Sequence, residues 1–210
     1  MISPSMLAIY LPAVLFLVLT PGPAILFTLN RSISFGRRAG FVTAAGLLSG
    51  TCILQVSAVL GVSAILQVSP IAYGALKIAG ALYLVYLGVR TILAAPADLL
   101  NAAPAGPPRS WWQDYLGGLT TELLNPKTAM FYISVLPQFV DLHAGHVTAQ
   151  LLLLGGIFVV CAAGSLAMVV QSSVHVKCLL VRHPVYASLS RWITGSVFVG
   201  FGARLALERQ

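Results

Sequence analysis

Glu122 and Lys127 stand five residues apart in an apolar stretch, with Asn125-Pro126 between them. Leaving either charge in lipid costs about 3 kcal/mol or more, so an acid and a base placed there point first to a site. Proline between them removes a backbone donor and clashes with the preceding turn. The freed groups then need protein, water or ligand as partners. The same interruption occurs once more: Thr20-Pro21-Gly22-Pro23 breaks the first apolar run, and Pro126 lies 105 residues after Pro21, half of the 210-residue chain. In both, a capping-type residue (Thr20, Asn125) precedes proline, and an apolar run resumes with Ala24 or Ala129. A helix restarting there has proline at its first position and Thr20 or Asn125 as its expected cap. Its positive dipole end suits a carboxylate, while the carbonyls left upstream suit an ammonium or a cation. One proline in a membrane helix is commonly a kink and nothing more. Two interruptions at matching places in two halves of a membrane chain mark a transporter's binding site.

The candidate substrate-binding residues are therefore Thr20, Pro21, Gly22, Pro23, Glu122, Asn125, Pro126 and Lys127. Glu122 is assigned the substrate ammonium or a cycling proton, and Lys127 the carboxylate. The competing reading is a self-satisfied pair that only stabilises the kink. Lys77, about two turns into a span, is a further candidate, although snorkelling to the headgroups explains it as well.

The elements that must carry these residues are membrane helices. Apolar residues make up 58% and charged residues 8% of the chain, with a mean hydropathy of +0.92, outside the range of ordinary soluble domains. Charge-free runs at Met1–Asn30, Ala39–Leu76 and Leu142–Val176 each exceed the ~20 residues of one crossing. The expectation is one all-α integral membrane domain over 1–210, with six transmembrane helices at about 5–29, 39–66, 70–93, 114–140, 147–171 and 191–207. The first and fourth are broken at the Pro motifs. A proline-rich connector at about 94–113 joins the halves. Span three and its start read Pro70, Lys77, Val85, Gly88, Arg90, Leu93; span six and its approach read Pro184, Arg191, Val199, Gly202, Arg204, Leu207, all 114 residues on. Two three-helix repeats (about 5–93 and 114–207) follow, inverted because three is odd.

Basic residues in short loops set the orientation. Arg31, Arg37, Arg38, Arg90, Arg109, Lys177 and Arg182 fall on one side, and Arg204 and Arg209 on the other. Seven against two places the first set in the cytoplasm and both termini outside. The first span lacks a basic n-region and is expected to be retained. With most bases in loops, the net charge of +7 reads as topology control and lipid contact, not nucleic-acid binding. Cys52, Cys161 and Cys178 lack CxxC spacing, and His143 and His146 lack further ligands, so no cofactor or metal site is read. Gly46 and Gly50 form a packing notch.

With these residues in view, the chain resembles the LysE/RhtB family of bacterial amino-acid exporters. The resemblance rests on Thr20-Pro21-Gly22-Pro23, Gly36-Arg37-Arg38-Ala39-Gly40, Lys77-Ile78-Ala79-Gly80-Ala81-Leu82-Tyr83-Leu84, Asn125-Pro126-Lys127 and Leu136-Pro137-Gln138-Phe139-Val140. It implies an inner-membrane translocator expelling amino acids or their derivatives with the proton gradient; the substrate varies across such proteins. Taken with that resemblance, the residues lead to secondary-active efflux of a small zwitterion by alternating access, since no Walker-type motif or soluble domain could host ATP hydrolysis. Rivals are a divalent heavy-metal exporter, disfavoured because Glu122 is the only acid expected deep in the membrane; an intramembrane enzyme, disfavoured because no span holds a histidine base; and a non-transporting structural protein. A homo-oligomer is left open.

Overall fold

Proline and glycine decide where the helices stop. The computed structural model describes residues 2, 4–68, 110–141 and 144–173, with single positions between 78 and 93 and between 192 and 203; among these, all regular structure is helical. Helix α1 (Pro4–Leu19) ends at the first break, and α2 (Pro23–Val68) begins beyond it. Within α2 the chain turns at Gly36, whose φ of 85° is left-handed. Glycine adopts that conformation without a Cβ clash. This divides α2 into arms 23–35 and 37–68. Helix α3 (Trp111–Leu123) starts in a capping box: Ser110 Oγ accepts from Gln113 N, and Gln113 Oε1 accepts from Ser110 N, satisfying two otherwise orphaned donors. After the second break come α4 (Pro126–Met130), a π-helical turn (Phe131–Val135) and a 3-10 turn (Leu136–Phe139). Helix α5 (Val147–Gln171) follows.

The distribution of side chains departs from that of a soluble bundle in its apolar exterior and its buried polar groups. Thr28, Thr43, Gln55, Glu122, Asn125 and Thr128 are buried, while Leu15, Val56, Leu60, Leu153, Val160 and Met168 are exposed. Water would penalise so large an apolar exterior; hydrocarbon does not. Residues 23–61 and Val147–Gln171 are long and apolar enough to cross a bilayer, the latter with a mean hydropathy of 2.4. At 1.5 Å per residue, α5 reaches about 37 Å, against a hydrocarbon core of about 30 Å.

Packing depends on close backbone approach. A Cβ on Gly46 would lie 2.0 Å from Tyr115 O, and one on Gly118 would lie 2.2 Å from Thr43 O. The 37–68 arm and α3 therefore run side by side in register, as small residues permit, and the Gly46–Gly50 notch receives α3. Among the single described positions, a Cβ on Gly88 would meet Gly195 O at 2.6 Å and Val199 Cγ2 at 2.8 Å. One on Gly202 would meet Ala81 O at 2.7 Å and Val85 Cγ2 at 2.8 Å.

Two ends of the molecule are distinguishable. At one, Arg31 pairs with Asp114 and Arg37 donates to Gln171 O. At the other, Tyr10 Oη donates to Leu154 O and Gln150 Nε2 to Asp141 O.

Three expectations need correction. The first span runs to Phe35, not Leu29, because nothing breaks the helix before Gly36. The fourth starts at Trp111, not Asp114, because its cap is Ser110. Arg31, expected at a loop, is 2% exposed, and its charge is met by Asp114, an equally buried acid. Glu122 is thus not the only deeply buried carboxylate. Lys77, Arg109, Lys177, Arg182, Arg191, Arg204, Arg209, His143, Cys178 and the connector 94–109 lie outside the described residues.

Candidate functional site

The first break is built by what proline lacks. Without N–H groups at Pro21 and Pro23, the carbonyls of Leu17 and Leu19 lose their helical donors. Neighbouring carbonyls are met from elsewhere: Ser165 Oγ donates to Val18 O at 2.8 Å, and Lys127 Nζ donates to Thr20 O at 3.0 Å. The helix restarts where Leu26 N donates to Gly22 O. The Thr20 hydroxyl donates back to Phe16 O at 2.7 Å, on the closing turn of the preceding helix.

At the second break the expected cap is present. Asn125 Oδ1 accepts from Lys127 N at 3.1 Å, with Pro126 at the first helical turn. The amide nitrogen of Asn125 donates to Glu122 Oε2 at 3.1 Å and to Thr128 Oγ1 at 3.2 Å. Asn125 thereby ties the last turn of α3 to the first turn of α4 across the break. Glu122, 3% exposed, is also reached by Thr51 Oγ1 of α2, 3.2 Å from Oε1. The Thr51 hydroxyl lies 3.0 Å from Leu47 O as well. It has one proton and serves one of these acceptors at a time.

Glu122 and Lys127 do not pair with each other through a hydrogen bond. The lysine reaches away, across 107 residues of sequence, to the first break. Its aliphatic end lies over Gly22, where an added Cβ would meet Lys127 Cδ and Nζ at 3.6 Å. Both breaks border one cavity of about 50 Å³, lined by Thr20, Gly22, Glu122, Asn125, Lys127 and Thr128 among others. By volume it holds about three waters. Its apolar wall comes from Leu17, Leu47, Phe158 and Leu166. Toward the Tyr10 end it gives way to packed aromatic rings, with Phe131 stacked on Phe158 at 4.5 Å and Tyr132 edge-on to Phe158 at 5.3 Å.

Sequence reasoning missed Thr51, Thr128 and Ser165. Thr128 directly follows Asn125-Pro126-Lys127, whereas Thr51 and Ser165 sit in no recognisable motif, and a threonine eight residues past Thr43 in an apolar helix carries no local signal.

The LysE type translocator family matches residues 15–209, enclosing both breaks and every element that lines the cavity. The chain belongs to that family. Its members are translocators, not enzymes. The chain is 30% identical to the uncharacterized membrane protein YrhP of Bacillus subtilis (strain 168), over 95% of this chain and 97% of that one. It is 31% identical to the leucine efflux protein of Salmonella typhimurium (strain LT2), covering 94% and 92% of the two chains. To the leucine efflux protein of Enterobacter sp. (strain 638) the identity is 32%, covering 94% and 93%. No solved structure matches the chain.

Proposed function

We propose that this LysE type translocator is a secondary-active exporter of small apolar amino acids or related zwitterions across the bacterial inner membrane. It is driven by protons and works by alternating access. The observation that carries this reading is the Lys127 Nζ to Thr20 O bond, which brings the two breaks to one cavity beside Glu122. A zwitterion fits by exchange. Its carboxylate takes Lys127, releasing Thr20 O, and its ammonium takes the freed carbonyl and Glu122. The leucine, valine and phenylalanine side chains of the wall suit an apolar substrate side chain, in keeping with the leucine efflux relatives. A leucine-sized molecule exceeds the present cavity, so the breaks must part to admit it.

Proton coupling is assigned to Glu122. When ionised, it accepts from Thr51; when protonated, it donates to Thr51, whose own proton returns to Leu47 O. Protonation thus removes the charge that holds the substrate ammonium, while the Glu122–Thr51 contact only reverses direction, and the site loosens its hold on the substrate. Support for an inverted repeat comes from the glycine contacts: Gly88 with Gly195 and Val199, and Gly202 with Ala81 and Val85, map onto each other at the 114-residue offset with distances matching to 0.1 Å. The single domain is then two three-helix units related by a pseudo-twofold axis. The basic-residue count places the Arg31–Asp114 end in the cytoplasm and the termini outside.

The test is Glu122→Gln in reconstituted vesicles with labelled leucine. Proton-driven export should be abolished while the protein still inserts and folds. Export at the normal rate would make Glu122 structural.

A further inference from the structure

Two helical turns from Glu122, the 37–68 arm and α3 repeat the chemistry of the break. Asp114 precedes Glu122 by eight residues on α3, and Thr43 precedes Thr51 by eight on α2, about 12 Å in each case. Because the two helices lie in register through Gly46, Gly50 and Gly118, Thr43 occupies the register position beside Asp114 that Thr51 occupies beside Glu122, without the hydrogen bond that Thr51 makes. The cation here is Arg31, at the far end of the 23–35 arm. Its Nη2 lies 2.5 Å from Asp114 Oδ1, and its guanidinium sits 4.1 Å from the Phe35 ring centroid.

Buried polar atoms on these helices are incompletely satisfied. Arg31 Nε, Thr28 Oγ1 and Thr43 Oγ1 are buried with no hydrogen-bond partner. Thr28 lies one turn from Arg31 on the same face of its arm, and the Thr43 carbonyl packs on Gly118, one turn past Asp114. A pair serving only to hold helices together would leave such groups paired, since orphaned buried donors are costly. A buried ion pair is in any case a poor stabiliser beside well-packed apolar groups. A buried guanidinium–carboxylate contact, with unpartnered hydroxyls one turn from Arg31 along its arm and at the register position of Asp114 on α2, is complementary to a zwitterion.

We infer that Arg31, Asp114, Thr28 and Thr43 form a second zwitterion-binding station, which loads the amino acid before it reaches the break. This rests on the export reading above. The substrate carboxylate takes Arg31 in place of Asp114, and the ammonium takes Asp114. When the station is empty, the two side chains close on each other. The arm carrying Arg31 and Thr28 lies between two non-helical joints, residues 20–22 and Gly36, and parts from α3 as one piece.

The full chain in proteoliposomes, with labelled leucine counterflow, tests the station. Arg31→Gln and Asp114→Asn should raise KM for leucine about tenfold to a hundredfold, the loss expected for a hydrogen bond to a charged group. Turnover at saturation should persist, and Arg31→Lys should recover part of the affinity. In a background with Cys52, Cys161 and Cys178 replaced by alanine, leucine should protect Thr28→Cys from a small thiol reagent. If the charge variants do not fold, Thr28→Val and Thr43→Val carry the same KM test. Unchanged KM with lowered turnover, and no protection, would overturn the station. Loss of export in Glu122→Gln with unchanged KM in the station variants sinks the station alone. Failure of the unmodified protein to move leucine or any other amino acid sinks the export reading with it.

Discussion

At the scale of single residues, Lys127 and Asn125 divide the labour of the second break. Lys127 offers three donors on a flexible stem, and one of them spans to Thr20 O. Lys127→Met removes that bond and the proposed carboxylate ligand together. Leucine affinity in vesicles should fall about tenfold to a hundredfold, the usual cost of a charge-assisted bond. Asn125 instead holds geometry: it caps Lys127 N and donates to Glu122 and Thr128. Asn125→Ala should lower stability by about 1–2 kcal/mol, read from thermal unfolding in detergent, as for other lost caps. Asn125→Asp keeps the cap oxygen but sets a second carboxylate against Glu122, where like charges 3 Å apart cannot both ionise. Transport should therefore suffer more than stability, a difference that separates capping from charge.

At the scale of elements, glycine contacts set how near the helices lie. A Cβ at Gly46 would fall 2.0 Å from the Tyr115 carbonyl, whereas one at Gly156 meets nothing within 4 Å. Gly46→Ala should cost about 1–3 kcal/mol through overpacking. Gly156→Ala should be neutral or stabilise by about 0.5–1 kcal/mol, because alanine is the better helix former. Thermal unfolding of the two variants side by side checks both. The displacement of α3 that Gly46→Ala forces also moves Glu122, so its transport should drop as well. The π-helical and 3-10 turns after α4 show the cost of the second break being passed along the chain: hydrogen-bond register slips at Phe131–Val135 and tightens at Leu136–Phe139, a pattern common where a helix is interrupted for a site.

At the scale of the whole molecule, buried polar side chains within an apolar core and a broadly apolar exterior suit a membrane protein, and the two ends differ in chemistry. One is closed by the Arg31–Asp114 pair, the other by Tyr10, Phe131, Tyr132 and Phe158. With the proposed orientation, a cysteine replacing exposed Arg38 should react with an impermeant thiol reagent only from the cytoplasmic face. One replacing His146 should react only from outside. Labelling of both from the same face would refute the topology and remove the loading role from the Arg31 end. If the pseudo-twofold relation holds, Gly88→Ala and Gly202→Ala should also destabilise alike, since the three atoms nearest each added Cβ correspond.

Much of the site was legible because proline acts locally. Pro21, Pro23 and Pro126 forbid hydrogen bonds whatever surrounds them, so the breaks, and the cap at Asn125, could be read from neighbouring residues alone. Apolar runs likewise determine membrane helices, because every backbone group in lipid must be paired within its own segment. Which groups meet across helices was not legible. That Lys127 turns to Thr20 O instead of Glu122, that Thr51 shares its proton between Leu47 and Glu122, and that Arg31 and Asp114 form a buried pair all depend on where α2 lies against α3. That placement is decided by close contacts between Gly46, Gly50, Gly118 and the opposing backbone, and such complementarity exists only once both helices are in place.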